Sequence, residues 1–314
     1  MSNRKIWLDT DPGFDDWFTM LLLAANPALD WVGTSVVAGN APLAATFDNA
    51  QRIQSHYGLS APLYSGCDQA LAGGNETAQH VLGASGMKTT GEPLPPVAAT
   101  AAGSGPHAVQ ALIDAVRRHP GELSILAIAP LTNLATALRQ APDIAASIPE
   151  ILLMGGSTDG GNQTAAAEFN IHADPEAASE VFNAGIPLRM FGLNLCRQIT
   201  LTQAEVRQVR ALASPRAQWF AGYLDAYQRI RSADGAVPMP LYDPVVAAYL
   251  SHPEHFEFRP AQVDIELQGR FTRGMTVCEF RPAHQRKPPV QVAMRIDAGQ
   301  ALPALMDRLI YCLG

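Results

Sequence analysis

The sequence predicts an α/β fold built on a mainly parallel sheet with helices on both faces. Three observations carry that expectation. Short runs rich in Ile, Val and Leu recur without polar alternation, the pattern of strands covered on both sides. Each early run is followed by a turn signal and a helix-like stretch, the alternation that goes with parallel strands. A chain of 314 residues with 47% hydrophobic side chains can also bury a large core.

In order, strands are expected at 5–9, 31–38, 123–129, 150–154 and 187–193. Helices are expected near 15–26, 43–58, 104–118, 131–140, 174–184 and 202–231. Segments 263–267, 275–280 and 290–297 are expected as further strands, some antiparallel, before a final helix at 299–312. Two Gly- and Pro-rich stretches, 83–106 and 155–166, are long, polar and aperiodic. In an α/β protein such loops sit at the carboxyl end of the sheet and cover a site. Length alone allows one large domain or two ordinary ones, but the α/β rhythm resumes after each loop, which predicts one domain over 1–314.

Composition narrows the function. Net charge is −7, and the only lysines are Lys5, Lys88 and Lys287, which argues against binding a phosphate backbone. No window offers the run of about 18 uncharged apolar residues of a membrane span. The opening MSNRKIWLD leaves no room for a signal-peptide core. Cys67, Cys196, Cys278 and Cys312 are far apart and read as free thiols of a reducing compartment. A soluble cytoplasmic protein is expected.

The densest chemistry lies in WLDTDPGFDDW, residues 7–17, where Asp9, Asp11, Asp15 and Asp16 crowd behind an apolar run. The stretch reads as a strand, a tight turn at Pro12–Gly13, and a helix from about Asp15. Asp15 and Asp16 would then sit where the helix dipole favours negative charge, which leaves Asp9 and Asp11 unexplained. An EF-hand loop counted from Asp9 fails, because its fifth position is Gly13. A haloacid-dehalogenase-type phosphatase also opens with strand–Asp–x–Asp, but it needs a suitably placed lysine. The other reading is a hard divalent cation held by several carboxylates beside a water activated for attack. Such a site needs more oxygens than one loop offers, and Asp243 in LYDPVV is a candidate. Asp before Pro at a helix start is equally a good N-cap, and Asp174 in ADPEAA has the same form and is read as a cap. A second polar group, Asn162, Glu168 and Asn170, follows a strand and Gly155–Gly156. Amides and a carboxylate converging on a pocket suit sugar hydroxyls, which both donate and accept; asparagines in Gly-rich loops also serve turns.

DTDPGFDD (9–16), VVAGN (36–40), APLTNLA (129–135), LLMGG (152–156), GN…EFN (161–170), DPEAA (174–178), YDP (242–244) and GMTV (274–277) together resemble the nucleoside hydrolases of the inosine–uridine-preferring type. The resemblance runs in order over essentially the whole chain. It implies a Rossmann-like α/β hydrolase with one tightly held Ca²⁺ that cleaves ribonucleosides to free base and ribose. By matching positions, Asp11, Asp16, Asp243 and the Ile128 backbone carbonyl would ligate the metal. Asp11 would also take a proton from a Ca²⁺-bound water. Asp15, Asn40, Met154, Asn162, Glu168 and Asn170 would line the ribose pocket. Asp15 and Asn170 would face the 2′- and 3′-hydroxyls, and Asn162 and Glu168 the 5′ end. Asp9 would support the acid cluster. The partners implied are a small ribonucleoside and further copies of the chain, as a homodimer or homotetramer; no nucleic acid or membrane is expected.

The chain departs from the family where the leaving base is protonated. Many members carry His directly before the second-site Asp, where this chain has Tyr242. Others use a His in an HxHG stretch, but QHVLGASG keeps only His80 and has Leu82 at the second His position. A phenol, with an ordinary pKa near 10, donates a hydrogen bond but matches proton transfer at neutral pH less well than imidazole. Tyr242 is therefore expected either to contact the leaving group or only to pack on the base. The departure points to substrates other than inosine and uridine, or to activation from 222–240 through Tyr223, Tyr227, Arg229 or Arg231. A binding protein that keeps calcium but has lost turnover is the alternative from another functional class. His56, His107, His119, His252 and His255 read as surface or capping groups, and His172 is unassigned.

Overall fold

The computed structural model describes residues 3–74, 76–97 and 105–314. The first residue of the expected helix 104–118 and part of the loop 83–106 fall on 98–104, outside the described residues. The chain opens with β1 (Arg4–Thr10), α1 (Phe14–Ala24), β2 (Leu29–Val36), α2 (Leu43–Tyr57), β3 (Leu63–Ser65) and the short α3 (Gln79–Leu82). It continues through α4 (Ala108–Arg118), β4 (Leu123–Ala127), α5 (Thr132–Gln140), β5 (Ile151–Met154), α6 (Phe169–Ala173), α7 (Pro175–Asn183) and β6 (Leu188–Phe191). Next come α8 (Leu193–Cys196), β7 (Thr200–Leu201), α9 (Gln203–Arg210), α10 (Pro215–Gln228), β8 (Met239–Pro240) and α11 (Pro244–Ser251). The chain closes with β9 (Phe256–Ile265), β10 (Thr276–Glu279), β11 (Val290–Ile296) and α12 (Ala298–Leu313).

Nine strands form one sheet in the order β10-β9-β11-β6-β5-β4-β1-β2-β3, and β7 pairs with β8 separately. From β3 to β6 every pairing is parallel, β11 joins β6 in parallel, and β9 runs antiparallel to β11 and β10. The α/β expectation therefore holds. The run β3-β2-β1-β4-β5-β6 is the Rossmann order, whose reversal between β1 and β4 opens a crevice at the carboxyl ends of those strands. Strand alternation splits the core into two layers. Ile6, Leu8, Leu126 and Leu152 face α1, α10 and α11, while Trp7, Ile125, Ile151 and Leu153 face α4, α5 and α7.

The expected helix 202–231 is two helices. Pro215 has no N–H for an uninterrupted helix and instead starts α10, with Ser214 accepting from the Ala217 N–H at 3.1 Å. The strand expected at 263–267 is the end of β9, whose burial alternates along much of its length. Such a strand lacks the continuous apolar run of the buried ones. β3, α3, α6, α8, β7 and β8 were not expected and are too short to carry a period, and α11 was anticipated only as the helix start that Asp243–Pro244 offers.

Aromatic packing fixes α1 against α10. Phe220 meets Phe14 at 5.0 Å, Trp17 at 5.1 Å and Phe18 at 5.6 Å between ring centroids, while Trp17 also meets Tyr57 and Tyr223 edge-on. These geometries add to the area buried. No helix among the described residues is long and apolar enough to cross a membrane. Phe220→Ala empties the centre of this cluster, and its expected cost is about 3–5 kcal/mol. Urea unfolding checks this; an unchanged midpoint would contradict the role given to the cluster.

Candidate active site

The carboxyl end of β1 delivers the acids to the crevice. Asp9, still within β1, accepts from Ser35 and from Asn133 Nδ2 at 2.9 Å, while its Oδ2 is buried without a partner. Burial raises its pKa to about 6 against the pull of those hydrogen bonds. Asp11 Oδ2 accepts from the Asn40 N–H at 2.6 Å. That approach requires Gly39, because a Cβ there would lie 2.0 Å from Asp11 Oδ2. Burial first, then repulsion from Asp16 and Asp15, pushes the Asp11 carboxyl well above its ordinary range.

Asp16 is the most firmly held. Its Oδ1 accepts from Thr10 and from the Asp11 N–H, and its Oδ2 accepts from the Gly13 N–H at 2.9 Å and Asn40 Nδ2 at 3.1 Å. The helix-start role is thus present in Asp16, which reaches back to the N-cap N–H of α1. Asp15 is partly open to the cavity, and burial and Asp16 raise it to about 7. Asp174 caps α7, accepting from the Ala177 N–H at 3.0 Å, and also accepts from Thr132 and the Leu71 N–H. Asp243 has the same Asp-Pro sequence but makes no cap hydrogen bond. Its side chain lines the cavity instead, and carboxylate oxygens of Asp15, Asp16 and Asp243 lie within 4.8 Å of one another. Burial and the charges of Asp15, Asp16, Asp11 and Glu168 raise Asp243 well above the ordinary carboxyl value.

The opposite wall comes from β4, β5 and the loop after β5. Asn170 Nδ2 donates to the Met154 carbonyl at 3.1 Å and to the Ile128 carbonyl at 3.3 Å. Glu168 is the N-cap of α6: its carboxylate accepts from the Gly156, Asn170 and Ile171 N–H groups at 2.9, 2.9 and 3.2 Å. Burial nevertheless lifts it to about 7. Asn162 Oδ1 accepts from the Phe169 N–H at 2.9 Å, which leaves its amide N–H groups for another partner.

These residues enclose a cavity of about 300 Å³. Asp11, Asp15, Asn40 and Asp243 line it, with Ile128, Met154, Asn162, Gln163, Glu168, Asn170 and Tyr242. Asp16 lies behind this surface. Of the candidates in 222–240, Tyr227 reaches the cavity, and its hydroxyl donates to the Pro240 carbonyl at 2.9 Å. The other three do not line it. Tyr223 packs on Trp17, Arg229 pairs with Asp225, and Arg231 donates to the Pro238 carbonyl. Val81, Leu82, Phe169, Ile230 and Met239 form an apolar wall. Most of that wall was missed in sequence, since isolated apolar residues on separate elements carry no local signal. Burial raises the phenols of Tyr227 and Tyr242 above their ordinary value.

Residues 6–302 match the inosine-uridine preferring nucleoside hydrolase family. The chain is 34% identical over 308 residues to the inosine-uridine preferring nucleoside hydrolase of Leishmania major, covering 98% of this chain and 97% of that one. It is 32% identical over 299 residues to the pyrimidine-specific ribonucleoside hydrolase of Escherichia coli, covering 95% and 94%. A solved structure, the purine-preferring ribonucleoside hydrolase from Gardnerella vaginalis, superposes with a TM-score of 0.89 at 28% identity over 99% of each chain. The phosphatase alternative falls away against these matches. The chain belongs to the inosine-uridine preferring nucleoside hydrolases, enzymes that hydrolyse the N-glycosyl bond of ribonucleosides.

Proposed function

We propose that the protein hydrolyses ribonucleosides to free base and ribose with the help of one Ca²⁺, Asp11 acting as general base. The observation that carries the cation is the convergence of Asp15, Asp16 and Asp243, with Asp243 released from the capping role its sequence offers. Like charges in a buried site call for a positive partner, and among the described residues no Lys, Arg or His lines the cavity. The donors on offer are all oxygen, which suits a hard cation such as Ca²⁺ rather than a soft one. Asp11, Asp16, Asp243 and the Ile128 carbonyl would hold it; that carbonyl keeps a second lone pair beside its long bond from Asn170. When bound, the ion would lower the pKa of the attacking water and anchor the sugar diol.

The chain's own groups supply the rest. Asp11, fixed by the Asn40 N–H, takes the proton as the water attacks C1′. Asp15 and Asn170 hold the 2′- and 3′-hydroxyls, and Asn162 and Glu168 hold the 5′ end. Asn40 and Met154 complete the ribose pocket, and Tyr242 touches the leaving base. As the C1′–N bond breaks, positive charge grows on the ribose, so carboxylates beside the ring stabilise the transition state more than the ground state. A sheet running from β1 to β11 supports reading 1–314 as one domain. This reading also keeps the cytoplasmic setting and the homodimer or homotetramer; sedimentation of the purified chain tests the latter.

Asp11→Ala is expected to lower ribose release by at least about 10²-fold while leaving the far-UV spectrum intact. Wild-type rates in that variant would remove Asp11 from the mechanism. Chelator should abolish ribose release from a nucleoside panel, and added calcium should restore it. Bound calcium with no turnover on any nucleoside would instead indicate a binding protein.

Stability should respond to pH in a stated direction. Without the cation, Asp9 at about 6 and Asp15 and Glu168 at about 7 lie above the ordinary values of 3.8, 3.8 and 4.5. Between about pH 4 and 7 the folded chain then binds more protons than the unfolded one, so stability falls as pH rises. In chelator, Tm should drop across that window, and the gain from calcium should grow with pH. A calcium-free Tm that climbs with pH would contradict the raised carboxyls.

A further inference from the structure

Away from the crevice, a second group of metal-binding side chains comes together. Among the described residues, His252, Glu254 and His255 each bring one ligand atom to within 4.8 Å of the others. They sit where α11 ends and β9 begins, about 12 Å along α11 from Asp243 at its other end. The Glu254 carboxylate lies 3.2 Å from His252 Nδ1 and 3.9 Å from His255 Nε2. The two imidazole rings stack with their centroids 5.3 Å apart. Among the described residues, no other side chain forms a hydrogen bond or ion pair with these three.

The backbone that carries them is held on both sides. The His252 N–H closes α11 by donating to the Ala248 carbonyl at 2.8 Å, and the His255 N–H donates to the His252 carbonyl at 3.2 Å. Pro253 fixes φ within the turn. The His255 carbonyl accepts from the Asp297 N–H at 2.9 Å. The next residue, Phe256, pairs with Ile296 of β11 and packs edge-on against Phe191 and Tyr249. The ligand positions are therefore set by the fold before any ion arrives.

Two imidazole nitrogens and one carboxylate are a donor set for a borderline ion such as Zn²⁺; Ca²⁺ takes oxygen ligands throughout. Ligands about 2.0–2.1 Å from a tetrahedral Zn²⁺ stand roughly 3.3–3.4 Å from one another. The His252–Glu254 pair is already close to that spacing, and the exposed Glu254 side chain can turn toward His255. The geometry points to a site for a divalent transition-metal ion of the Zn²⁺ class, held by His252, Glu254 and His255 with water completing the shell. This site is separate from the crevice and does not rest on the hydrolase reading. An ion there ties the end of α11 to the start of β9. No protein carbonyl or carboxylate beyond Glu254 orients the imidazoles, so binding is weaker than at a closed structural zinc site.

The test is equilibrium dialysis of the full-length chain against Zn²⁺ in a large excess of calcium, which keeps the acid cluster occupied. Wild type is compared with Glu254→Gln and with the His252→Ala/His255→Ala double variant, each checked by its far-UV spectrum. The four thiols are common to all three proteins, so any zinc they bind cancels in the comparison. Wild type is expected to hold one more Zn²⁺ per chain than the double variant. Glu254→Gln, an exposed change that spares the fold, should weaken that binding by at least about tenfold, the lower end of what losing even an outer partner costs. Zinc-edge X-ray absorption of the wild type should report two imidazole nitrogens at about 2.0–2.1 Å, and Tm should rise with Zn²⁺ in the wild type alone. Equal zinc affinity in wild type and both variants would overturn the site, as would no zinc bound by the wild type.

Discussion

Repulsion among buried carboxylates is the constraint on which the rest of this structure depends. Asp9, Asp11, Asp16 and Asp243 are buried, and Asp15 is half-buried beside them. Each carboxyl in the group is raised above its ordinary range, with burial the largest cause. A chain built only for stability would not gather them. The neighbouring backbone offsets part of the cost, since the Asp11, Gly13 and Asn40 N–H groups all point at carboxylate oxygens.

The fold holds that arrangement by stiffness around it. β1 runs between β2 and β4 in a register that places the β1 and β4 carboxyl ends side by side. Aromatic rings lock α1 on α10, so Asp15 at the start of α1 and Tyr227 near the end of α10 face the same cavity. Close approaches are tuned by glycine: Gly39 lets Asp11 reach the backbone beside Asn40, and a Cβ on Gly13 would strike the Asn40 side chain. Asp9 is thus presented by β1, Asp15 and Asp16 by α1, and Asp11 by the short turn between them.

Much of the architecture was legible because buried parallel strands leave a strong local mark. Runs such as LSILA and ILLM can hardly be anything else, and both are strands. The misses fall where local signal is weak or ambiguous. β9 alternates like a half-exposed strand, β3 spans three residues, and Pro215 ends one helical stretch by starting another. In the cavity, polar residues in dense motifs could be named in advance, whereas Val81, Phe169, Ile230 and Met239 meet only after separate elements pack.

The sequence by itself determined the class of fold, the acid-rich β1–α1 turn and the family, because strand burial, turn chemistry and motif spacing are local properties written in order along the chain. Only the tertiary structure decided what the acids do. Asp174 and Asp243 share the same Asp-Pro context, yet one caps its helix and the other turns into the crevice beside Asp15 and Asp16. The same holds for the aromatic and apolar wall across from them. Which side chains face a cavity depends on how helices far apart in sequence are seated on the sheet, and no local pattern encodes that.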